Sequence, residues 1–188
     1  MDINTEIHNA YEVIKNGGII LYPTDTVWGI GCDASNEEAV AKIYALKQRE
    51  ESKSMICLMN GEKMMYNVFT KIPEVAWEIL DNSERPTTLI LDQPKNVAKN
   101  IIAEDNTLGI RLVKDPFCFK LMERMKRPLV STSANISGAP TAMNFKEISP
   151  EIIKGVDYVV NLYREKKKKK PSAIIKLTLD SQVKVIRR

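Results

Sequence analysis

Histidine and cysteine are scarce in this sequence, and their scarcity excludes several kinds of site. The 188 residues include one histidine, His8, and three cysteines, Cys32, Cys57 and Cys118. The cysteines are odd in number, far apart and in no C-x-x-C pair, so neither a disulfide framework nor a zinc site is indicated. A single histidine among ordinary polar residues also leaves no catalytic triad built on histidine.

Long apolar runs and aromatic residues are also few. No stretch approaches the roughly 20 apolar residues of a membrane span, and Asp2, Glu6 and His8 stand where a signal peptide would be basic and then apolar. Aromatic residues make up 6% of the chain and no RNP-like motif occurs, which disfavours stacking on single-stranded RNA. We therefore expect a cytoplasmic protein that makes no contact with membranes.

Enough apolar residues are present for one core. Hydrophobic residues make up 44% of the chain, and at this length a compact domain buries roughly 70% of the unfolded surface. We expect residues 1–188 to form a single domain. The net charge of +4 suits an anionic small substrate or weak contact with nucleic acid, and requires neither.

Hydrophobic periodicity and turn residues predict alternating helices and strands. The N-terminal helix should end at Gly17-Gly18, and Ser35 or Asn36 should cap a helix that buries Leu46 or Lys47. Further helices are predicted near residues 62–68, 73–80 and 116–125, and strands at 19–22, 55–59, 87–91, 108–112, 129–131, 158–161, 173–177 and 183–187. This pattern indicates a mixed α/β (α+β) fold with an open, twisted mixed sheet flanked by helices.

The segment from Pro128 to Pro140 carries the strongest signal. An apolar strand there leads into five hydroxyl or amide side chains within seven residues: Ser131, Thr132, Ser133, Asn135 and Ser137. Uncharged donors of this kind suit phosphate, carboxylate or ribose oxygens beside cations supplied from elsewhere. The alternative is a polar turn whose hydroxyls satisfy the backbone of the turn itself.

A second hydroxyl-bearing turn and three cations lie upstream. Residues 17–31 run from a buried strand into Thr24 and Thr26, and Lys47, Arg49 and Lys53 follow at the end of a helix. The three cations can converge on a triphosphate if the following loop folds back. The alternative is a solvated helix end that complements the helix dipole.

Two familiar nucleotide-binding motifs do not account for these residues. Gly29-x-Gly31-x-x-Ala34 superficially matches a dinucleotide-binding fingerprint, but the next helix starts too late for that motif. The chain also has no G-x-x-x-x-G-K-[ST] loop, so a conventional P-loop ATPase is not indicated.

Taken together, the motifs resemble the YrdC/TsaC family of threonylcarbamoyl-AMP synthases, which begin the threonylcarbamoyladenosine modification of tRNA. The resemblance rests on segments that occur in the family's order: Pro23-Thr24-Asp25-Thr26, Lys47-x-Arg49-x-x-x-Lys53, Gly109-Ile110-Arg111, Ser131-Thr132-Ser133-Ala134-Asn135-Ile136-Ser137-Gly138, and Pro171-Ser172 followed by a strand and Arg187. It implies the YrdC-like fold, an open twisted sheet with a large basic concave cleft.

The resemblance also implies an ATP-dependent nucleotidyltransferase. In the family reaction L-threonine and bicarbonate or CO2 form a carbamate, whose oxygen attacks the α-phosphorus of ATP to give threonylcarbamoyl-AMP and pyrophosphate. Mg²⁺ is expected to arrive with ATP, without a metal site on the protein. The product would pass to a tRNA threonylcarbamoyltransferase complex, and direct contact with tRNA or double-stranded RNA stays open.

Individual contacts follow from the same resemblance. It assigns ATP binding to Lys47, Arg49, Lys53, Thr107, Ser133, Asn135, Thr141 and Arg187, with Lys47 and Arg49 in the catalytic role. It assigns threonine or carbamate binding to Thr26, Leu58, Arg111, Ser131 and Ser172. Arg111 is also a good carboxylate clamp on chemical grounds, because a guanidinium can hold a carboxylate through two hydrogen bonds. The alternative for Arg111 is a surface ion pair with Asp105 or Asp115.

Other functions stay open at this stage. A non-catalytic RNA-binding module would use the run Lys166–Lys170 and the basic balance of the chain. A carbamoyl-adenylate-handling domain of the hydrogenase-maturation type is a third hypothesis, although that activity normally sits in a much longer chain. The lysine run itself is either a solvated loop or a flap that closes over the nucleotide.

Overall fold

The computed structural model describes residues 2–50, 55–165 and 171–187. Within these ranges the α-helices are α1 (Ile3–Lys15), α2 (Glu37–Lys47), α3 (Glu62–Val68), α4 (Glu74–Asp81), α5 (Pro116–Met125) and α6 (Pro150–Gly155). The strands are β1 (Ile20–Tyr22), β2 (Gly29–Gly31), β3 (Ile56–Met59), β4 (Thr87–Asp92), β5 (Thr107–Leu112), β6 (Leu129–Ser133), β7 (Tyr158–Val159), β8 (Ala173–Leu177) and β9 (Val183–Arg187). Short 3-10 turns occupy Lys99–Ile101 and Phe145–Glu147.

The strands of the described residues form one mixed sheet, in the order β7-β1-β2-β6-β3-β5-β4-β8-β9. Three neighbouring pairs are parallel, namely β1 with β7, β3 with β5, and β4 with β8. The other neighbouring pairs are antiparallel. The predicted mixed sheet is therefore confirmed, and the hydroxyl-bearing strand β6 lies between β2 and β3.

Local signals in the sequence explain how the helices begin and end. Asp2 caps α1 by accepting a hydrogen bond from the backbone N–H of Thr5, and Asn36, not Ser35, caps α2 through the N–H of Ala39. Lys47, not Leu46, takes the buried position at the end of α2. Every predicted helix and strand is present, with ends displaced by at most two residues.

Strand β2 and helix α6 were not predicted. β2 is the tripeptide Gly29-Ile30-Gly31, which has the low intrinsic strand propensity of glycine. Its second glycine is required by close packing, because a Cβ atom on Gly31 would lie 2.2 Å from the carbonyl oxygen of Val130. Strand pairing on both sides holds this segment extended.

No helix in the described part of the chain is long and apolar enough to cross a membrane. The three cysteines are free and buried, and burial raises the pKa of each thiol. They behave as small apolar core residues.

Candidate active site

A cavity of about 250 Å³ lies against the sheet and gathers most of the predicted contact residues. Those on its wall are Thr26, Arg49, Arg111, Ser131, Ser133, Thr141, Ser172 and Arg187. They come from the turn after β1, the end of α2, strands β5 and β6, the loop after β6, and the segment leading into β8 and β9. The fold thus brings together motifs that are more than one hundred residues apart in the sequence.

Strand β6 supplies the hydroxyl edge of the cavity. Side chains alternate along a strand, so Ser131 and Ser133 project from the same face of the sheet. The register places Ile56 of β3 opposite Ser131, and Gly29 of β2 opposite Ser133. A Cβ atom on Gly29 would lie 3.3 Å from the Ser131 hydroxyl oxygen. Glycine at this position therefore keeps the floor open beside the Ser131 hydroxyl.

Lys47 lies behind this edge and supports it. Its ammonium group donates to the backbone carbonyls of Ser133 and Asn135 at 2.5 Å each, and the N–H of Ser137 donates back to the carbonyl of Lys47 at 2.8 Å. The side chain is 1% exposed, and burial, helped by the neighbouring Arg49, lowers the pKa of Lys47 from 10.5 to about 8. The ammonium group thereby fastens the loop after β6 to the end of α2, and its place beside phosphates stays a prediction.

Arg49 reaches the cavity because α2 ends abruptly. Gln48 adopts the left-handed conformation (φ 50°), and the N–H groups of Gln48 and Arg49 donate to the carbonyls of Ala45 and Tyr44 at 3.1 and 3.0 Å. This is the hydrogen-bond pattern of a Schellman motif. It turns the half-buried side chain of Arg49 onto the cavity wall. Burial lowers the pKa of Arg49, but a guanidinium keeps its charge in proteins.

Arg111 forms a buried ion pair at the cavity wall. Its Nη2 donates to Asp25 Oδ1 at 2.9 Å, and the two side chains are 5% and 26% exposed. The partner is therefore neither Asp105 nor Asp115, which corrects the alternative considered from the sequence. Asp105 pairs with Lys176 instead, and Asp115 caps α5. The buried Nε of Arg111 has no hydrogen-bond partner among the described residues.

Ser172 is held from two sides. Its hydroxyl lies 2.8 Å from the hydroxyl of Thr88 on β4. Its carbonyl accepts two hydrogen bonds from Arg187, at 3.0 Å from Nε and 2.8 Å from Nη2. Arg187 therefore fixes the start of β8 to β9 while its side chain contributes to the cavity wall.

Several predicted contact residues do not line the cavity. Leu58 is fully buried in β3, and Thr107, at the far end of β5 from Arg111, donates its hydroxyl to Asp105 at 2.6 Å. The amide of Asn135 donates to the carbonyls of Ile136 and Ala139, which stabilises the loop after β6. The substrate contacts assigned to these three residues stay predictions. Lys53 and the run Lys166–Lys170 lie outside the described residues.

The cavity also contains residues that sequence reasoning did not assign to it. They are Thr24, Val27, Trp28, Gly29, Met55, Ile56, Thr88, Thr132, Pro171 and Ile174. Thr24 and Thr132 stand inside the motifs already noted, so their positions were a usable signal. No signal in the sequence marked Thr88, because only the parallel pairing of β4 with β8 brings it to Ser172.

The cavity carries the chemistry of an anion-binding site. Three arginines, Arg49, Arg111 and Arg187, and a series of hydroxyl groups line it. Arginine and hydroxyl donors together suit phosphate and carboxylate groups. Among the described side chains no cluster of three or more histidine, cysteine, aspartate or glutamate residues could hold a metal ion.

Comparison with known proteins shows the family of the chain. The family model of Sua5, YciO and YrdC, described as telomere recombination, matches residues 12–188. A protein of Pseudoalteromonas translucida named threonylcarbamoyl-AMP synthase is 31% identical over 86% of this chain and 88% of its own length. A protein of the same name from Acinetobacter baumannii is 34% identical over 77% of this chain and 80% of its own. The chain belongs to the Sua5/YciO/YrdC family.

A solved structure shows the same fold. A double variant of Sua5 from P. abyssi superposes with a TM-score of 0.82 at 26% identity, over 92% of this chain. The present chain spans about half of that protein, with 50% of its length matched. The predicted mixed α/β fold, with a twisted mixed sheet flanked by helices, is thereby confirmed.

Proposed function

We propose that this protein is a threonylcarbamoyl-AMP synthase, which joins L-threonine, bicarbonate or CO2, and ATP into threonylcarbamoyl-AMP and pyrophosphate. The observation that carries the proposal is the convergence of Arg49, Arg111 and Arg187 around the hydroxyl edge of β6 in one cavity. Three separate cations suit substrates that together carry a triphosphate and carboxylates. The names of the curated relatives support the same activity.

The cavity divides between the two substrates. Arg49, Ser133, Thr141 and Arg187 would hold ATP, since Arg49 and Ser133 adjoin the loop that Lys47 fastens. Arg111 would hold the carboxylate of threonine. Thr26, Ser131 and Ser172 complete the threonine end with hydroxyl groups. Lys47 would keep the ATP end in shape through its contacts with the loop after β6.

The reaction demands positioning and charge stabilisation more than covalent catalysis. A carbamate oxygen bonds to the α-phosphorus of ATP while the bond from that phosphorus to the oxygen of pyrophosphate breaks. Negative charge develops on the phosphoryl oxygens during this exchange, and fixed guanidinium groups stabilise it. Mg²⁺ enters as part of the ATP substrate and keeps mostly phosphate and water ligands. The product then requires a tRNA threonylcarbamoyltransferase complex to receive it.

Pyrophosphate release tests the proposal. The purified protein with Mg²⁺ and ATP should release pyrophosphate only when both L-threonine and bicarbonate are present. Omission of either substrate is the control for plain ATP hydrolysis. Pyrophosphate release that does not depend on threonine and bicarbonate would contradict the proposal. Binding of tRNA without any pyrophosphate release would favour the RNA-binding alternative.

A further inference from the structure

The ion pair between Asp25 and Arg111 is more than a structural link. Arg111 lies on β5, whereas Asp25 lies in the turn between β1 and β2, and the sheet order separates these strands by β6 and β3. Only the folded chain brings the two charges together, at 2.9 Å. Residues on both sides of Asp25, Thr24 and Thr26, line the cavity, as does Arg111 itself.

The turn holds Asp25 in a fixed position. The hydroxyl of Thr24 donates to the carbonyl of Val27 at 2.7 Å and accepts from the N–H of Thr26 at 3.0 Å. Thr24 and Thr26 are each 2% exposed, so this network is shielded from water. A carboxylate on such a turn is preorganised, which lowers the cost of ordering it when a ligand binds.

Neither partner is saturated by the pair. Arg111 Nε is buried without a hydrogen-bond partner among the described residues, and Asp25 Oδ2 forms no hydrogen bond with any of them. A buried guanidinium N–H normally has a partner, and leaving it unpaired is costly. Arg111 also lines the cavity, so its guanidinium group, which keeps a donor beyond the ion pair, suits a ligand with an acceptor group.

We propose that Asp25 binds the α-amino group of the amino-acid substrate while Arg111 binds its carboxylate. An α-amino acid carries these two groups on one carbon atom, so its opposite charges stand side by side. Arg111 lines the cavity, and Asp25 stands beside it between two lining residues, Thr24 and Thr26, so the pair presents the complementary charges side by side at the cavity edge. This inference rests on the proposed function and adds a binding residue to it.

Binding of L-threonine and of an analogue without the amino group tests this assignment. Asp25→Asn removes the charge at nearly constant size, and Asp25→Glu keeps the charge. Asp105→Asn is the matched control, because Asp105 also pairs with a cation, but that cation, Lys176, does not line the cavity, whereas Arg111, the partner of Asp25, does. Calorimetry gives the dissociation constant of L-threonine, and inhibition of pyrophosphate release by 3-hydroxybutyrate reports binding through the carboxylate and hydroxyl alone.

The Asn variant is expected to weaken L-threonine binding roughly 10-fold, as for loss of a charge-assisted hydrogen bond, and to change inhibition by 3-hydroxybutyrate less than about twofold. The Glu variant should recover part of the affinity, and the Asp105 control should match the unmodified protein. Thermal unfolding checks that each variant is folded. If the Asn variant does not fold, weaker binding of L-threonine with unchanged inhibition in the Glu variant carries the same test.

Three results would overturn the assignment. Equal weakening of both ligands would mean that Asp25 acts only by positioning Arg111. Tighter L-threonine binding would mean that Asp25 competes with the substrate carboxylate, and unchanged binding would remove Asp25 from the site. If the unmodified protein binds L-threonine but is not inhibited by 3-hydroxybutyrate, the amino group dominates recognition. The effect of Asp25→Asn on the dissociation constant of L-threonine then decides the assignment. If the unmodified protein lacks threonine-dependent pyrophosphate release, the proposed function itself fails.

Discussion

Replacement of Lys47 by Met tests whether this buried lysine is a structural support. The change keeps the length of the side chain but removes the ammonium group that donates to the carbonyls of Ser133 and Asn135. It also removes a cation whose pKa burial lowers from 10.5 to about 8. The two effects oppose each other at neutral pH, so stability at a single pH would not separate them.

The dependence on pH does separate them. Below about pH 8 the folded protein keeps a proton on a buried amine, which disfavours folding. Between about pH 8 and 10.5 the unfolded chain still binds a proton that the folded protein has lost, so the free energy of unfolding rises with pH. A difference of about 2.5 pH units at 1.36 kcal/mol per unit corresponds to roughly 3 kcal/mol. A neutral amine still has two N–H groups and can keep both carbonyl contacts.

Urea unfolding of the original protein and of Lys47→Met between pH 7 and pH 11 measures this effect. The free energy of unfolding of the original protein should rise relative to the variant by roughly 3 kcal/mol over that range, and most of the rise should fall above pH 8. Groups that titrate in both proteins, such as the buried Tyr22, cancel in the difference. A difference that stays constant within about 0.5 kcal/mol would refute the role of Lys47 as a buried, desolvated support.

Further substitutions test the division of the cavity. Arg49→Ala should weaken ATP binding about 10- to 100-fold, because a charged phosphate contact is lost. Arg127→Ala, which changes an exposed arginine outside the cavity, should leave ATP binding unchanged. Equal ATP affinity of the unmodified protein and both variants would remove Arg49 from the site. Arg111→Ala should raise the KM for L-threonine far more than the KM for ATP, and parallel increases would count against its place at the threonine end. Thr88→Val removes the 2.8 Å contact with Ser172 and should cost about 1 kcal/mol of stability in thermal unfolding, with no loss indicating that the contact is dispensable.

The sequence predicted the arrangement of elements well because local signals determine it. Asn36 and Asp115 cap helices through their own side chains, and apolar spacing marks the strands. The exceptions were α6 and β2, and in β2 two glycines conceal a strand that only pairing with β1 and β6 creates. Gly31 is needed because the backbone of β6 approaches it closely, and the residues next to Gly31 in the sequence do not indicate this contact.

Motifs in the sequence predicted which residues gather at the candidate site, but not which charged groups pair with one another there. Eight of the assigned residues line one cavity, because the motifs mark strand ends and turns that the sheet brings together. The pairing of Arg111 with Asp25 joins residues 86 positions apart, beyond the reach of any local pattern. The buried environment of Lys47 also depends on a tertiary contact, with the loop after β6. These contacts decide which cations are available to a ligand.

Mass analysis of the product made from [¹³C]bicarbonate tests the central claim most directly. Incubation with Mg²⁺, ATP, L-threonine and labelled bicarbonate should yield an adenylate that contains threonine and one ¹³C atom, together with one pyrophosphate per adenylate. The label should be lost when unlabelled bicarbonate replaces it, and the adenylate should be absent without L-threonine. Formation of AMP or ADP alone, or of an adenylate without the ¹³C atom, would contradict the assignment of this cavity to threonylcarbamoyl-AMP synthesis.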